Sequence, residues 1–454
     1  MSILSYDDAT PITDQRQLAE YFTAGCKAKP DWMIGTEHEK FPFRLSTLQP
    51  VGYDDSKGIR DLLQMLKIFG WKEVMEDGNI IGLQRYASRI SLEPGGQVEL
   101  SGAPFGNLHE TAAEIDRHLE ELREVAGLLD MGFLGLGFHP AAARKAISWM
   151  PKARYRIMRE YMPKRGNLGL DMMLRTCTTQ VNLDYADESD MVLKMRVAMA
   201  LQPVVTALFA ASPFTESKPN GYQSWRMHIW QDTDPDRCGM LPFVFEDGFS
   251  FERYADYALD VPMYFVARGN RLIDASGQSF RDFMAGRLPA LPGEIPVLAD
   301  WHNHLTTLFP DVRLKQYLEM RGADCGTAEA ILALPSFWTG ILYDSTACDA
   351  VWQLVKDWTM EERLFLHREA PKSGLKLDFR GRPLCAVAHE AVRLAQQGLR
   401  RRAKRLHGGA DETRYLDGLF MVTESGNSYA DELMMRLQHQ WEGDINQVFK
   451  DCRL

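Results

Sequence analysis

Residues 34–41 read IGTEHEKF, a short stretch with the composition of a β-strand. Side chains alternate across a strand, so Glu37 and Glu39 point to one face, with Phe41 beyond them. Two adjacent carboxylates repel each other, and a sheet face rich in glutamate usually requires a bound cation. This stretch alone leaves two interpretations open: a cation-binding face, or the solvated face of a half-exposed antiparallel strand.

A second segment, residues 89–102, reads RISLEPGGQVELSG and predicts a β-hairpin. Its central Pro94-Gly95-Gly96 is typical of a turn between two strands. If the two arms pair, Glu93 and Glu99 lie on the same sheet face, because each belongs to the polar half of an alternating arm. The apolar half of the hairpin would then pack behind the sheet.

Three further segments alternate in the same way, and we expect each of them to be a strand. They are residues 175–185 (RTCTTQVNLDY), 224–230 (SWRMHIW) and 313–322 (RLKQYLEMRG). Their polar faces include Gln180, Asn182 and Asp184 in the first, Arg226 in the second, and Glu319 and Arg321 in the third. Five segments with this pattern favour the cation-binding interpretation.

Five glutamates on these strands could together supply the all-oxygen ligands that magnesium prefers, alongside the phosphates of a substrate. They are Glu37, Glu39, Glu93, Glu99 and Glu319. Arg321, two residues after Glu319, would place a fixed cation near the same phosphates. The sequence has no G-x-x-x-x-G-K-[ST] segment, so a nucleotide would not be held by a P-loop.

The composition is that of an ordinary soluble globular protein, with 45% apolar and 25% charged residues among 454. Its 52 basic and 62 acidic side chains give a net charge of −10, which argues against nucleic acid or a membrane surface as a partner. The seven cysteines are dispersed without a C-x-x-C pair, as in a reducing compartment. Because no signal peptide or run of 18 apolar residues is apparent, we expect a cytoplasmic protein.

Predicted strands concentrate before about residue 325 and predicted helices after it, although helices also separate many of the strands. This order predicts an α+β fold in which helices cover a mixed or antiparallel sheet. We expect a single domain over residues 1–454, with a strand-rich core at about 30–325 and a mostly helical part at about 326–454.

Six motifs follow one another in a specific order: GTEHEKF, LEPGGQVELSGAP, VRLKQYLEMRGAD, and three longer ones at residues 161–185, 212–237 and 238–266. From about residue 10 to the C-terminus the chain resembles the glutamate–cysteine ligases of the plant and proteobacterial type. The resemblance implies a fold related to glutamine synthetase and the guanidino kinases. In that fold a curved, largely antiparallel sheet forms a funnel, and helices back it.

The resemblance also implies an activity. The γ-carboxylate of L-glutamate would be joined to the amino group of L-cysteine through γ-glutamyl phosphate, as ATP becomes ADP and phosphate in the first step of glutathione biosynthesis. ATP and two or three magnesium ions would bind the polar face, and the chain would act as a monomer or weak homodimer. A related glutamate ligase with another amine acceptor or thiol pathway stays open as an alternative.

Residue roles follow from the same resemblance. It implies metal binding by the five glutamates above and catalysis by Arg321 and Glu319, with Arg321 at the transferred phosphate. Arg321 and Gln180 would contact ATP. The two amino-acid substrates would be bound by seven residues: Arg226, Arg154, Asn182, Asp184, Trp225, Tyr257 and Tyr264.

One departure from the family pattern concerns regulation. The plant members are controlled through disulfides, one of which holds a β-hairpin. The corresponding positions of this chain are Ala275 and Ala290 for one pair and Ala112 and Leu332 for the other. We therefore expect no such redox switch in this protein.

Overall fold

The architecture is that of a large antiparallel sheet covered by helices, given by a computed structural model that describes residues 8–269, 271–406 and 408–454. Its nine strands are β1 (Ile34–Arg44), β2 (Lys72–Glu76), β3 (Asn79–Arg85), β4 (Ser88–Leu92), β5 (Val98–Ser101), β6 (Met131–Leu134), β7 (Thr178–Leu183), β14 (Val312–Leu314) and β15 (Leu318–Asp324). The order of the strands in the sheet is β14–β15–β7–β1–β5–β4–β3–β2, and β6 pairs with the far end of β1.

Four short two-stranded ladders lie outside this sheet. Three of them are antiparallel and one, β10 with β13, is parallel. Their strands are β8 (Phe214–Thr215), β9 (Lys218–Pro219), β10 (Cys238–Gly239), β11 (Phe265–Arg268), β12 (Arg271–Asp274), β13 (Phe309–Pro310), β16 (Asp378–Phe379) and β17 (Arg382–Pro383).

Seventeen α-helices complete the described part of the chain. They are α1 (Arg16–Thr23), α2 (Ile59–Leu66), α3 (Leu108–Leu128), α4 (Ala153–Tyr161), α5 (Gly169–Arg175), α6 (Glu188–Leu208), α7 (Trp225–Gln231), α8 (Phe251–Asp260), α9 (Phe280–Met284), α10 (Leu298–Leu305), α11 (Ala328–Leu342), α12 (Ser345–Val355), α13 (Met360–Ser373), α14 (Leu384–Arg402), α15 (Asp417–Ser425), α16 (Tyr429–His439) and α17 (Val448–Asp451).

Strand β1 is the centre of the sheet, because it pairs with three other strands. Its first half lies between β7 and β5, and its second half pairs with β6. The register places Glu39 opposite Glu99 of β5, and Glu37 opposite Gln180 of β7. In the hairpin, Ser91 lies opposite Glu99. The predicted α+β fold is confirmed, and the acidic side chains share one sheet face as the alternation predicts.

The reverse face of the hairpin is apolar and fully covered. Ile90, Leu92, Val98 and Leu100 pack there against the inner faces of α2 and α3. A second and larger core lies around α6, α11 and α14 and includes the apolar side chains of β7, β14 and β15. Since both cores hold the backbone of the sheet, the polar face that they support is rigid.

One predicted strand is wrong. Residues 225–231 form helix α7, capped by Ser224, whose hydroxyl accepts a hydrogen bond from the Met227 N–H at 3.2 Å. Residues four apart share a helix face, so Arg226 and Trp230 lie together in the helix as they would in an alternating strand. The alternation therefore fits both structures, and the serine cap is the signal that distinguishes them.

The prediction of a single strand over residues 313–322 is also wrong. This segment contributes to a hairpin of β14 and β15, whose turn is closed by the Lys315 N–H donating to the Tyr317 carbonyl at 2.9 Å. Arg313 lies opposite Glu319 across the hairpin. The two side chains share a face, as predicted, but through pairing between strands and not through alternation along one.

Helix α6 is long and apolar. Among the described residues it is the one helix whose length and composition would suffice to cross a membrane, and 83% of its most apolar 18-residue window is buried inside the protein. It packs against α12 and α13 and against the sheet strand β15. This is the packing of a core helix.

Helices α11 and α14 cross at two glycines, and this crossing gives a stability prediction. A Cβ atom on Gly398 would lie 1.8 Å from the Gly340 carbonyl oxygen, which is backbone and cannot move aside. We expect Gly398→Ala to lower the free energy of unfolding by about 1–3 kcal/mol, the usual cost of overpacking. Denaturant unfolding followed by circular dichroism measures this.

The matched control is Gly418→Ala in helix α15, where a Cβ would meet no atom within 4 Å. Alanine is the better helix former, so this variant should be neutral or more stable by up to about 1 kcal/mol. Equal unfolding midpoints for the two variants would contradict the tight crossing.

Candidate active site

The polar face of the sheet lines a cavity. Helices α4, α5 and α7 and the short strand β13 supply the remaining walls. The lining residues are Glu37, Glu39, Glu93, Pro94, Gln97, Glu99, Met158, Met172, Met173, Thr176, Thr178, Gln180, Arg226, Trp230, Phe309, Arg313 and Arg321. Four of the five predicted metal ligands are among them, together with Gln180, Arg226 and Arg321.

Three carboxylates form the most acidic part of the cavity. Oxygens of Glu39, Glu93 and Glu99 lie within 4.8 Å of one another, and each residue is at most 9% exposed. Glu39 and Glu99 face each other across paired strands, and Glu93 joins them from the start of the hairpin turn, where its N–H donates to the Gln97 carbonyl at 2.9 Å. The backbone therefore brings the three together.

The electrostatics of this cluster favour a cation. Burial, followed by the charges of Glu93 and Glu99, raises the pKa of Glu39 well above its usual range. Burial also raises the pKa of Glu93. Although burial opposes it, neighbouring positive charge and the Ser101 hydroxyl lower the pKa of Glu99 to about 2. A hard divalent cation such as magnesium relieves this repulsion, and a set of three carboxylate oxygens is the donor set that it prefers. The residues present therefore fit the predicted metal.

Glu37 precedes Glu39 by two residues on the same face of β1 and lies next to β7. The Asn182 amide donates to its Oε1 at 3.1 Å. Burial, together with the charges of Glu319 and Glu99, raises the pKa of Glu37. Glu37 thus lies between the three-carboxylate cluster and the charged group around Glu319, and both predicted residues, Glu37 and Asn182, are in contact with each other.

Glu319 has a different environment from the other four glutamates. It is fully buried and accepts hydrogen bonds from Arg313 Nε at 2.9 Å and Nη2 at 2.7 Å, and from Arg321 Nη1 at 2.5 Å. Lys315 Nζ lies 3.3 Å away. Although burial alone would raise it, these three cations hold the pKa of Glu319 well below its usual range. In this arrangement Glu319 orients arginines, and its predicted role as a metal ligand stays a prediction.

Two arginines form the basic part of the cavity. Arg321 Nη1 donates to Gln180 Oε1 at 2.6 Å, in addition to Glu319. Arg226 is almost fully buried, and its Nη2 donates to the Arg321 carbonyl at 3.0 Å. Burial lowers the pKa of Arg226, yet an arginine stays charged at any ordinary pH. Both guanidinium groups therefore present fixed positive charge to the cavity.

Helix α7 holds Arg226 in place through its N-terminus. The buried carboxylate of Asp324, at the end of β15, accepts hydrogen bonds from the Ser212 and Ser224 hydroxyls at 2.6 and 2.8 Å. The Ala211 N–H donates to the same carboxylate at 2.9 Å. The start of the helix is thus fastened to the sheet edge from which Arg321 projects.

Two predicted polar contacts lie outside the cavity. Asp184, at the end of β7, binds Lys27 Nζ at 2.7 Å and the Met33 N–H at 2.7 Å, so it secures the chain before β1. Arg154 is buried in α4, with its guanidinium 5.6 Å from the centre of the Phe265 ring. Neither side chain is among the residues that line the cavity. The charge of Arg154 nevertheless acts on Glu93, so its guanidinium lies near the carboxylate cluster.

The three aromatic residues among the seven predicted to bind the substrates, Trp225, Tyr257 and Tyr264, do not line this cavity either. Trp225 is on the other face of α7, against Tyr222. Tyr257 packs in a cluster of rings, and Tyr264 lies under the Arg237 guanidinium at 3.9 Å. The cavity is instead lined by aromatic residues that the prediction omitted, Trp230 and Phe309, with a methionine wall of Met158, Met172 and Met173.

Gln97 and Arg313 are further cavity residues without a predicted role. Gln97 holds the hairpin turn: its amide donates to the Thr176 carbonyl at 2.9 Å and its oxygen accepts the Gly95 N–H at 2.9 Å. Both residues lie on polar faces that the alternation identified. The methionines and Phe309 lie on helices and a short bridge without any polar signal, so the sequence pattern offered no means of finding them.

Comparison with known proteins identifies the family of this chain. The family model described as glutamate-cysteine ligase family 2 (GCS2) matches residues 33–451. The chain belongs to this family. The predicted resemblance is therefore confirmed over almost the whole sequence.

Plant members of the family are similar throughout. "Glutamate--cysteine ligase, chloroplastic" of Medicago truncatula is 53% identical over 97% of this chain and 85% of its own length. The protein of the same name from Arabidopsis thaliana is 52% identical over 98% of this chain and 83% of its own length. Since these relatives are named chloroplastic, the prediction of a cytoplasmic protein is contradicted; bulk composition and the first residues were insufficient grounds for it.

A solved structure shows the same fold at low identity. The glutamate–cysteine ligase from Francisella tularensis in complex with AMP superposes with a TM-score of 0.57 over 93% of this chain and 87% of that one, at 11% identity. The shared architecture confirms the predicted fold class. All seven cysteines are free thiols in the described structure.

The environment of Glu319 gives a stability prediction. We expect Glu319→Gln to lower the free energy of unfolding by about 3–5 kcal/mol, because it removes the charge that pairs with buried Arg313 and Arg321. Denaturant unfolding without metal or nucleotide measures this. Glu362→Gln, which removes an exposed partner of Arg380, should change stability by less than about 1 kcal/mol. Equal unfolding midpoints for Glu319→Gln and the wild type would contradict a stabilising role of the Glu319 charge.

The three-carboxylate cluster gives a metal-binding prediction. Millimolar magnesium should raise the melting temperature of the wild type by a few degrees, because the cation binds only the folded cluster. Glu39→Gln should lose most of this increase and melt higher than the wild type in EDTA, since it removes repulsion. Differential scanning fluorimetry measures both effects.

Glu114→Gln serves as the control for this experiment. Glu114 lies behind the sheet, bonded to the Ser88 hydroxyl at 2.6 Å, and lines no part of the cavity. It should retain the full magnesium effect. If Glu39→Gln retained it as well, the cluster would not be the metal site.

Proposed function

We propose that this protein is an ATP-dependent ligase that joins the γ-carboxylate of L-glutamate to the amino group of L-cysteine. The observation that carries the proposal is one cavity with a cluster of three carboxylates at one end and two fixed arginines at the other. Family membership and the plant relatives at 53% identity support the choice of substrates. The product would be γ-glutamylcysteine, with ADP and phosphate.

The arrangement of charge suits phosphoryl transfer from ATP. A carboxylate is a poor acyl donor and must first be phosphorylated, which brings several negative charges together. Glu39, Glu93 and Glu99 would hold magnesium. When bound, magnesium would neutralise the phosphates and orient them for attack.

Arg321 would contact the phosphate as it moves from ATP to glutamate. Glu319 and Gln180 hold its guanidinium in place before any ligand arrives, so little reorganisation is needed during the reaction. Its planar fork matches the geometry of a phosphate.

Arg226 would bind a substrate carboxylate. Its Nη2 is used by the Arg321 carbonyl, whereas Nε has no hydrogen-bond partner although it is buried. A buried guanidinium with an unused donor beside a cavity is suited to an anionic ligand.

The direct test is release of ADP with glutamate and a panel of amino acids as acceptors, including cysteine, serine, alanine and 2-aminobutyrate. We expect release that depends on glutamate and is fastest with cysteine. Another acceptor as the preferred one would favour a related glutamate ligase, and release independent of glutamate would contradict the proposal.

A variant connects this activity to the cavity. Glu99→Gln should lower the turnover number roughly 100-fold or more, because a ligand of the metal is lost, and it should stay folded because the amide occupies the same volume. Glu114→Gln should turn over at the wild-type rate. Near-normal turnover of Glu99→Gln at millimolar magnesium would exclude the cluster as the metal site.

A further inference from the structure

Lys40 lies behind the carboxylate cluster, on the reverse face of β1. Glu39 faces the cavity, and side chains alternate along a strand, so the next residue, Lys40, points to the other side of the sheet. The register with β5 places Glu39 opposite Glu99 and Lys40 opposite the adjoining Val98. The backbone of Lys40 is therefore a near neighbour of the backbones of two of the three clustered glutamates.

The ammonium group of Lys40 is fully buried and has no carboxylate partner. Its Nζ donates to His38 Nδ1 at 2.9 Å and to the His38 carbonyl at 3.2 Å. Among the described residues, no carboxylate lies within ion-pair distance of this nitrogen. A buried charge without an ion pair is costly, because the ion has lost its hydration without gaining a counter-ion. Some other charge must therefore compensate it.

The titratable side chains close to Lys40 do not supply that charge. His118 of α3 meets His38 edge to face, with ring centres 5.6 Å apart, and burial lowers the pKa of both histidines well below their usual range. Burial raises the pKa of the Cys177 thiol well above its usual range and that of the Cys325 thiol to about 12. All four side chains are therefore neutral near pH 7.

The compensating charge is that of the carboxylates on the other side of the sheet. Burial lowers the pKa of Lys40 to about 8, whereas the carboxylates of Glu99 and Glu39 act in the opposite direction. Charges interact strongly through a buried sheet, and salt screens them little there. Lys40 is not among the residues that line the cavity. Its charge therefore acts on the cluster through the sheet and not by contact with a ligand.

We infer that Lys40 is a positioning residue whose charge limits the affinity of the carboxylate cluster for magnesium. This inference rests on the proposed function, because it requires Glu39, Glu93 and Glu99 to hold the metal. The ammonium stabilises the metal-free cluster and repels a dication that enters it. The cluster would then bind magnesium firmly only when substrate phosphates complete the coordination, and the metal could leave with the product after each turnover.

Lys40→Met tests this inference in the full-length enzyme, because it removes the charge and keeps a side chain of similar length. The probe is Mn²⁺ alone, which takes the same oxygen ligands as magnesium and whose free ion is counted by electron paramagnetic resonance. At pH 7 without nucleotide, we expect the Kd for Mn²⁺ to fall roughly 10-fold relative to the wild type. The same Mn²⁺ concentration should also raise the melting temperature of the variant more than that of the wild type.

The matched control is Lys194→Met. Lys194 is an equally buried lysine of α6, pairs with Asp190 at 2.7 Å and lines no part of the cavity. Its loss should leave the Kd for Mn²⁺ within about twofold of the wild type, since distant sites act independently. Lys40→Arg keeps the charge and should also keep the wild-type Kd, because an arginine is always protonated.

Lys40→Gln is a second neutral variant in case methionine is not accommodated, since its amide can still form a hydrogen bond with His38. It should tighten Mn²⁺ binding as Lys40→Met does, and melting curves identify the folded variants. An unchanged or higher Kd in a folded neutral variant would overturn the inference, and so would equal tightening in Lys40→Arg. If the wild type bound no Mn²⁺ at all, the metal site of the proposed function would fail, and this inference with it.

Discussion

Three carboxylates, those of Glu39, Glu93 and Glu99, lie within 4.8 Å of one another in a region that water barely reaches. Burial and the charges of Glu93 and Glu99 raise the pKa of Glu39. Backbone pairing between β1, β4 and β5 holds the side chains against their repulsion. The antiparallel register and the two cores behind it are what make so unfavourable a cluster possible.

At the opposite end of the same sheet face, positive charge exceeds negative charge. Around Glu319 one carboxylate meets the three cations of Arg313, Lys315 and Arg321, so positive charge is in excess. Strands β5 and β15 are three spacings apart in the sheet, roughly 14 Å. A metal-bound polyphosphate, positive at one point and negative along its length, complements both ends at once.

Alternation predicted the parts of the site that lie on regular strands. Glu37, Glu39, Glu99 and Gln180 occupy the faces expected of them because period-two patterns determine facing directly. Arg226 lines the cavity although its segment is a helix, because residues four apart share a face both in a helix and in a strand. Phe309 could not be predicted: it lies in β13, a strand of two residues, where no period exists. Trp225 and Tyr257 lie on helices and do not line this cavity. Which face of a helix turns toward a cavity is decided by tertiary packing, and their predicted role in substrate binding stays a prediction.

The position of β1 at the centre of the sheet affects how the protein must be made. Its partner β7 begins about 130 residues after β1 ends, and β15, the next strand outward, is completed only at Asp324. At about 5–20 residues per second, a ribosome needs roughly 7–27 s to extend the chain from one to the other. During that interval one edge of β1, which carries Glu37 and Glu39, has no partner. The glutamates that repel one another in the finished site would also keep that open edge soluble and discourage its pairing with a neighbouring nascent chain.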